Sequence, residues 1–392
     1  MMANNQVLEN QRREREQALM DKLKPIFAGT AQGRGAPFGC MQSTREALLN
    51  EFTTWATNPA GGSVLWLSGL AGTGKLSIAQ SFATLLAEKG LLVVSFFISR
   101  HVRHHSDLYS IIHTLASELA RVHDAARGSI LQAFERDPRI HELNLDRQVD
   151  QLLLQPLRAI AAADSAASTI IVLDALDECD NLIGLVGDGC LAKIIPVLNE
   201  SASVGKVKLF LTSRPLRAIG AGIQPFKDRL GREVKLHEIP TTDDIRTYLE
   251  RCLGEVHRPG VLPALWPSVD DLNALVQRAG SFFIHAATVI RHIKQDQYTP
   301  DERLAEILNA RSASVDEDSP YAEVDRLYLE VLSLFIGAGK HTKLTERVRR
   351  ILSAVVLGRE PMSIQMISDL LQIDLDAVRR VVSGLGAIWA VP

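Results

Sequence analysis

A glycine-rich stretch near residue 70 has the residue types and spacing of a phosphate-binding loop. Residues 69–75, which we call the phosphate loop, are Gly69, Leu70, Ala71, Gly72, Thr73, Gly74 and Lys75. Glycines let the backbone curl so that successive N–H groups point toward a bound anion, and the N-terminus of a following helix adds partial positive charge. The Lys75 ammonium would reach the terminal phosphates of a nucleotide. The stretch therefore predicts nucleotide binding.

The residue that follows Lys75 departs from this pattern. Phosphate loops have Ser or Thr at that position, and its hydroxyl ligates Mg²⁺, whereas this chain has Leu76. Ser77 is a poor substitute as a ligand, because one step along a helix rotates a side chain by about 100°. We include Leu76 and Ser77 in the predicted nucleotide-contacting set and expect Mg²⁺ ligation to be weakened.

Acidic and basic side chains follow two later apolar runs. Asp174 is the predicted Mg²⁺ ligand, since Mg²⁺ prefers carboxylates and keeps several waters. Asp177 or Glu178 would orient or deprotonate the attacking water. Arg214 would sense the γ-phosphate, because a planar guanidinium suits phosphate oxygens. The alternatives are an acidic turn that simply follows a strand and, for Arg214, a surface salt bridge.

These polar groups lie where predicted strands end. Four apolar runs are predicted to be strands, at residues 63–68, 91–98, 169–174 and 208–215. Helical patterns separate them, at residues 46–55, 76–83, 107–122 and 146–163. Alternating strands and helices predict an α/β fold with a parallel sheet covered by helices on both faces, whose ligands bind beyond the carboxyl ends of the strands. The three polar clusters could therefore converge in one crevice.

Composition excludes several functional classes. The chain has 392 residues with 43 basic and 46 acidic side chains, a net charge of −3, so no global field favours nucleic acid or an anionic membrane. No apolar run approaches the roughly 18 residues of a membrane span. The four cysteines are far apart and form no CxxC pair, which predicts thiols in a reducing, cytoplasmic location.

Beyond about residue 241 the pattern is helical. Helices are predicted at residues 242–253, 270–279, 282–293, 303–310 and 322–335, with a polar linker at 312–319. Helical segments at 346–357, 363–371 and 376–385 with a strand at 388–391 resemble a partial winged helix. At the other end, a solvated helix at 5–24 precedes a linker at 28–37. The predicted domains are 1–39, a helix and linker; 40–235, the nucleotide-binding domain; 236–315, an all-α helical domain; and 316–392, a helix with an incomplete winged helix.

Four motifs, taken in their order along the chain, resemble those of a known protein family. They are the phosphate loop, Phe96-Phe97-Ile98-Ser99-Arg100, Leu173-Asp174-Ala175-Leu176-Asp177-Glu178 and Leu211-Thr212-Ser213-Arg214-Pro215. Together they resemble a NACHT-type P-loop NTPase and, more narrowly, the nephrocystin-3-like N-terminal domain of many fungal proteins of the signal-transduction ATPase class. Residues 40–45 with Trp55 resemble the opening segment of that domain, and residues 279–288 resemble its helical-domain signature.

The resemblance implies a switch. ADP would hold a closed form, and exchange for ATP would open the chain for oligomerisation and signalling, with hydrolysis resetting the switch. Leu76 departs from the family by lacking the Mg²⁺-ligating hydroxyl, while Ser77 matches a second hydroxyl position near the α-phosphate. Within residues 1–392 we expect neither the family's ADP-contacting His beyond the winged helix nor its WD40, ankyrin or tetratricopeptide repeats.

Three hypotheses about function follow. The first is an ATP- or ADP-binding signalling switch or self-association module with weak or absent hydrolysis. The second is a protein interaction module that has lost nucleotide binding, and the third is an active ATPase that uses a displaced metal ligand. Nucleic-acid binding is not favoured, because the basic residues of the C-terminal region are interspersed with acids. Adenine is favoured over guanine by resemblance alone.

Overall fold

The computed structural model describes most of the chain. The described residues are 14, 16–34, 39–99, 102, 104–163, 168–179, 190–204, 206–223, 230–256, 262–263, 265–294, 299–309, 329, 332, 342–358 and 362–384. The chain divides into two compact units. The first comprises Met1–Cys40, Arg45–Gly69 and Lys75–Leu236, and the second comprises Met41–Thr44, Leu70–Gly74 and His237–Pro392. The domain boundaries given above stay predictions.

A parallel sheet forms the centre of the first unit. Its strands are β1 (Val64–Ser68), β2 (Leu92–Phe97), β3 (Thr169–Asp174), β4 (Val207–Ser213) and β5 (Leu230–Lys235), in the order β2-β3-β4-β1-β5. Every pairing is parallel. The first four strands are the predicted ones. The fifth was not predicted, because its sequence Leu-Gly-Arg-Glu-Val-Lys contains no apolar run; such a sequence is typical of an edge strand.

Helices cover both faces of this sheet. They are α1 (Glu46–Thr57), α2 (Lys75–Glu88), α3 (Leu108–Val122), α4 (Asp124–Arg136), α5 (Gln155–Ala163), α6 (Cys190–Ser203) and α7 (Arg217–Ile223). On one face, Phe210 of β4 packs against Phe52 of α1 and Phe82 of α2, with ring centroids 5.3 and 4.6 Å away. On the other, Leu209 and Leu211 join a core with the apolar side of α3. The predicted α/β class is therefore confirmed.

The helices of the first unit differ from the prediction in several places, and α6 and α7 are among those that were not predicted. The predicted helix at 146–163 contains a π-helical stretch, Val149–Leu154, before α5 begins. Helix α4 was not predicted, because its buried positions are Ala126, Ile130, Ala133 and Phe134 in an otherwise polar sequence. A helix with so few large apolar residues has a weak periodic signal.

The N-terminal segment packs into the first unit. Leu23 is fully buried, the Ala31 N–H donates to Ser95 Oγ at 2.8 Å, and Gln80 Nε2 donates to the Ala31 carbonyl at 2.7 Å. Gly29 lies so close to the Phe96 ring that a β-carbon there would be 2.8 Å from Cε2. The described part of the predicted linker is thus packed, since its small residues permit close approach to the sheet.

The second unit is helical over most of its described length. Its helices are α8 (Thr242–Val256), α9 (Val269–Ala279), α10 (Phe283–Ile293), α11 (Pro300–Asn309), α12 (Thr342–Leu357), α13 (Ile364–Leu371) and α14 (Leu375–Gly384). One core joins α8 to α11, and another joins α12 to α14. The all-α region after the sheet is therefore confirmed. The predicted linker at 312–319, the strand at 388–391 and all but residues 329 and 332 of the helix at 322–335 lie outside the described residues, so the partial winged helix stays a prediction.

Two expectations from the sequence, on the state of the cysteines and on membrane spans, can be compared with the structure. Cys40 and Cys252 are thiols, but Cys179 is disulfide-bonded, so the expectation of thiols throughout is wrong for Cys179. Separation along the sequence gives no information on which cysteines approach one another in space. None of the helices in the described part of the chain combines the length and apolar character that a membrane span needs.

A buried histidine in α10 makes the stability of the second unit sensitive to acid. Burial, with a smaller effect of Arg278, lowers the pKa of His285 to about 4, whereas its ordinary value is 6.5. The unfolded chain therefore binds the proton first, and stability that is present above about pH 6.5 is lost as the pH falls toward 4. The full loss corresponds to about 3 kcal/mol. We expect His285→Phe to flatten this part of the pH dependence in chemical denaturation; unchanged slopes between pH 6.5 and 4 would contradict the assignment.

Candidate functional site

The ends of three neighbouring strands lie level at one edge of the sheet. In the register, Ser68 of β1 pairs with Ser213 of β4, and Leu173 of β3 pairs with Leu211 of β4. Strand β1 lies between β4 and β5, so its connection to the distant β2 creates a change of direction in the strand order. Ligands of open parallel sheets bind at such a point, beyond the carboxyl ends of the strands.

The two ends of the phosphate loop are fixed in the first unit. The Gly69 N–H donates to the Ser213 carbonyl at 3.2 Å, which joins the loop to the end of β4. Lys75 is the first residue of α2, and its Nζ donates to the Gly69 carbonyl at 2.7 Å. The Lys75 ammonium therefore reaches back to where the loop begins.

Burial lowers the pKa of Lys75, and the neighbouring carboxylates of Asp177, Asp174 and Glu178 act against that shift. The Arg214 guanidinium adds to the lowering of the pKa. All four residues that were predicted from strand ends are thus close enough to Lys75 to change its ionisation. A desolvated ammonium gains most from an additional anionic ligand, because the local dielectric is low.

The middle of the phosphate loop, Leu70–Gly74, belongs to the second unit. Gly72 and Gly74 have φ angles of +81° and +93°, which only glycine adopts without strain. Thr73 Oγ1 donates to the Leu70 carbonyl at 2.8 Å. The Ile284 N–H at the start of α10 donates to the Gly72 carbonyl at 3.1 Å. The glycines therefore occupy the positions where the backbone must turn.

Asp174 is held by the neighbouring strand. It is the last residue of β3 and is buried, and its Oδ1 accepts a hydrogen bond from Thr212 Oγ1 at 2.5 Å. The same hydroxyl accepts the Ala175 N–H at 2.9 Å. Ala175 has a left-handed backbone, with φ 59° and ψ 49°, which turns the chain sharply after the strand.

Asp177 and Arg214 form a partly buried ion pair. Asp177 Oδ1 accepts the Arg214 backbone N–H at 2.9 Å, and Oδ2 accepts Arg214 Nε at 2.5 Å. Because both carboxylate oxygens already accept from Arg214, Asp177 orients the guanidinium, and this leaves Glu178 as the candidate that could orient water. The catalytic role of Asp177 stays a prediction. Arg214 does form a salt bridge, which was the alternative to phosphate sensing, and its side chain is 30% exposed whereas that of Asp177 is 3% exposed.

The metal-binding capacity of this site is small. Leu76 presents only carbon atoms in the first turn of α2. Within the described residues, no group of three or more His, Cys, Asp and Glu side chains could hold a metal ion. A buried carboxylate such as Asp174 nonetheless fits Mg²⁺, which usually takes one or two protein carboxylates and completes its shell with phosphate oxygens and water. Ser77, also in α2, stays a predicted nucleotide contact.

Thr212 belongs to one of the three polar clusters that were expected to converge, at residues 212–214, but no role was predicted for it. It follows the apolar part of β4 at the level where β3 ends in Asp174. Without the strand pairing, nothing in the sequence joins residues 174 and 212. A β-branched residue in a strand is equally typical of a purely structural position.

Breaking the Asp177–Arg214 pair should lower stability. We expect Asp177→Asn to reduce the free energy of unfolding by about 2 kcal/mol, because it leaves the half-buried guanidinium without its countercharge. Chemical denaturation measures the change. Glu255→Gln is the matched control, since the Glu255–Lys294 pair is exposed and such pairs contribute at most about 1 kcal/mol. Equal losses of unfolding free energy in the two variants would show that the Asp177–Arg214 pair stabilises the protein no more than the exposed pair does.

Gly72 should tolerate no side chain. A β-carbon there would lie 2.3 Å from Ile284 Cγ2 at a φ of +81°, so we expect Gly72→Ala to destabilise the protein by more than about 1 kcal/mol. Gly128 in α4 is the control, because a β-carbon there meets nothing within 4 Å, and Gly128→Ala should stabilise by about 0.5–1 kcal/mol. A neutral Gly72→Ala in chemical denaturation would contradict the described packing.

Comparison with known families supports the sequence motifs. Residues 43–214 match the family model described as Nephrocystin 3, N-terminal. This segment contains the phosphate loop, Asp174 and Arg214. The comparison with curated proteins found no match.

The solved structures that resemble this chain include an Orc1 protein and a Walker-type ATPase. Orc1 of Aeropyrum pernix, solved in complex with DNA, is 16% identical over 94% of this chain and 86% of that chain, with a TM-score of 0.43. A Walker-type ATPase of Pyrococcus abyssi is 15% identical over 88% of this chain and 89% of that chain, with a TM-score of 0.42. With TM-scores below 0.5, these likenesses add nothing to the strand order described above. The phosphate loop between β1 and α2 and the family match together identify a P-loop NTPase domain.

Proposed function

We propose that this chain binds ADP or ATP as a NACHT-type signalling switch or self-association module and hydrolyses ATP weakly or not at all. The observation that carries the proposal is the combination of Lys75 among four charged strand-end groups with a hydrocarbon side chain at Leu76. The first feature suits phosphate binding, and the second removes a metal ligand that catalysis requires. The NACHT type and the role in signalling rest on the four sequence motifs.

Each residue has a separate task in this proposal. Lys75 would exchange its bond to the Gly69 carbonyl for a charge-assisted bond to a terminal phosphate. Arg214, oriented by Asp177, would contact the γ-phosphate and so distinguish ATP from ADP. Glu178 would orient water, and Asp174 would hold Mg²⁺. When bound, Mg²⁺ supplies positive charge to the phosphate oxygens.

Weak hydrolysis follows from the loss of one metal ligand. Phosphoryl transfer depends on positioning and on electrostatic stabilisation of the phosphate oxygens, and the metal ion supplies part of both. Phosphate binding draws mainly on the loop backbone and on Lys75. Leu76 would therefore reduce turnover more than it reduces affinity, which suits a protein that holds its nucleotide.

Nucleotide retained during purification tests the proposal. We expect protein that is purified without added nucleotide, then denatured and separated by ion-exchange chromatography, to release ADP at a substantial fraction of one per chain. The base and phosphate number of the released compound also decide between adenine and guanine. Absence of any nucleotide, together with no binding at millimolar ADP, would favour the interaction module that has lost its site.

The partner in this proposal is a protein or a second copy of the chain, and the location is cytoplasmic. Nucleic-acid binding is not part of the proposal, because the net charge of −3 gives the chain no general attraction for a polyanion.

A further inference from the structure

We propose that Thr212 is a positioning residue that fixes the Asp174 carboxylate for Mg²⁺. This inference rests on the proposed nucleotide function. It is carried by a hydrogen-bonded chain within the first unit, which runs from the Ala175 N–H to Thr212 Oγ1 and from Thr212 Oγ1 to Asp174 Oδ1.

The direction of this chain is set by chemistry. A backbone N–H can only donate, so Thr212 Oγ1 accepts the bond from Ala175. An ionised carboxylate can only accept, so the one hydroxyl proton of Thr212 points to Asp174. The distance of 2.5 Å is in the short range of hydrogen bonds from a hydroxyl to an ionised oxygen. The hydroxyl therefore has one orientation rather than several.

Burial makes this orientation persistent. Thr212 is fully buried and Asp174 is 4% exposed, so water does not compete for the bond. The left-handed backbone of Ala175 costs energy for a residue other than glycine, and it is retained where the N–H meets the hydroxyl. The Thr212 hydroxyl of β4 thus holds the carboxylate at the end of β3, and the Ala175 N–H that follows β3 holds the hydroxyl.

The hydrogen bond from Thr212 to Asp174 matters more because residue 76 is a leucine, which cannot ligate a metal ion. With a hydroxyl ligand at that position, two protein groups would fix the metal ion, and a small rotation of Asp174 would matter less. With Leu76, Asp174 is the predicted protein ligand that remains in the site. An oriented carboxylate loses less rotational freedom on binding the ion, which partly offsets the missing ligand.

Two substitutions separate positioning from structural support. Thr212→Val keeps the shape of the side chain but removes the hydroxyl, and Thr212→Ser keeps the hydroxyl. ATP affinity is measured by calorimetry in EDTA and across a series of Mg²⁺ concentrations. We expect Thr212→Val to leave ATP affinity in EDTA within about twofold of the wild type and to raise the Mg²⁺ concentration for half-maximal effect about tenfold, the lower end of what one bond to a charged group contributes. Thr212→Ser should stay within about twofold on both measures.

The same substitution in a Leu76→Thr protein tests whether the effect of Thr212 depends on the missing metal ligand. In a Leu76→Thr protein the metal has another ligand, so the effect of Thr212→Val on the Mg²⁺ requirement should shrink to about threefold or less. If Thr212→Val does not fold, Thr212→Cys is measured instead, whose weaker S–H donor should give an intermediate shift.

The failure of this inference differs from the failure of the proposed function. Wild-type protein that binds no nucleotide in either buffer would overturn both. Wild-type protein that binds ATP equally with and without Mg²⁺ would overturn the role of Thr212 alone. The same conclusion would follow if Thr212→Val lowered thermal stability but left the Mg²⁺ requirement unchanged, because the hydroxyl would then only join the two strands.

Discussion

Lys75→Ala is expected to weaken ADP and ATP binding by about 10- to 100-fold. That range corresponds to the loss of a hydrogen bond to a charged group, about 1.5–3 kcal/mol. The ammonium is partly buried, donates to the Gly69 carbonyl at the start of the loop and lies among the acidic groups at the ends of the neighbouring strands. Calorimetric titration measures the affinity. In thermal unfolding with excess nucleotide, the variant should lose most of the stabilisation that a ligand gives to the folded state.

The matched control is Lys89→Ala, which removes the same charge just beyond the C-terminal end of α2 at an exposed position. We expect it to bind nucleotide as the wild type does. The comparison is made on the ligand-induced change, because burial penalises the charged form of Lys75 and its removal can itself raise stability without ligand. Equal nucleotide stabilisation of Lys75→Ala and the wild type would show that the loop does not bind phosphate.

Leu76→Thr is expected to raise ATP turnover at least about tenfold, the effect of about 1.4 kcal/mol on the barrier. The substitution restores the hydroxyl that ligates Mg²⁺ in phosphate loops. Affinity for ADP in EDTA should change little, because the loop backbone and Lys75 are untouched. Steady-state phosphate release measures turnover, and the Mg²⁺ dependence of ATP binding measures the restored ligation.

Leu76→Val is the control for this substitution, since valine has the shape of threonine and lacks the hydroxyl. It should leave turnover near the wild-type level. A gain that both variants share would come from the smaller side chain rather than from metal ligation. Turnover that is already high in the wild type and unchanged in Leu76→Thr would favour the active ATPase with a displaced metal ligand.

Four of the five strands could be predicted because each of them is an apolar run. The strands β1 to β4 are buried along nearly their whole length, and a strand covered on both faces must be apolar throughout. This holds for β2 although it lies at one edge of the sheet. The strand at the other edge, β5, carries charged residues, and its sequence is that of a loop. Short apolar runs are therefore a reliable signal for strands that are covered on both faces and a poor one for a charged edge strand.

The site was predicted by residue type but not by pairing. The phosphate loop, Asp174 and Arg214 follow strand ends, and parallel strands bring their carboxyl ends to one edge. Which carboxylate binds which cation depends on register and on side-chain geometry, and neither is encoded locally. Asp177 or Glu178 was predicted to act on water, and the sequence did not indicate the pair that Asp177 forms with Arg214. For the same reason no role was predicted for Thr212.

The packed N-terminal segment shows a different limit. Small residues at 28–34 suggested a linker, because flexible connections use the same residue types. In the structure, Gly29 faces the Phe96 ring and Ala31 exchanges hydrogen bonds with Ser95 and Gln80. Small residues permit both free movement and close packing. Which of the two occurs depends on whether the folded chain offers a surface for them to pack against, and the local sequence does not show that.

The proposed switch holds ADP by its phosphate loop with little dependence on Mg²⁺, whereas Mg²⁺ held by Asp174 is expected to strengthen the binding of ATP. Calorimetric titration of nucleotide-free protein with ADP, once in EDTA and once in millimolar Mg²⁺, tests the first of these expectations. We expect saturable ADP binding with one site per chain in both buffers, at a Kd below millimolar and differing by less than about tenfold. Absence of ADP binding in both buffers, or ADP binding that needs Mg²⁺ entirely, would contradict the proposed switch.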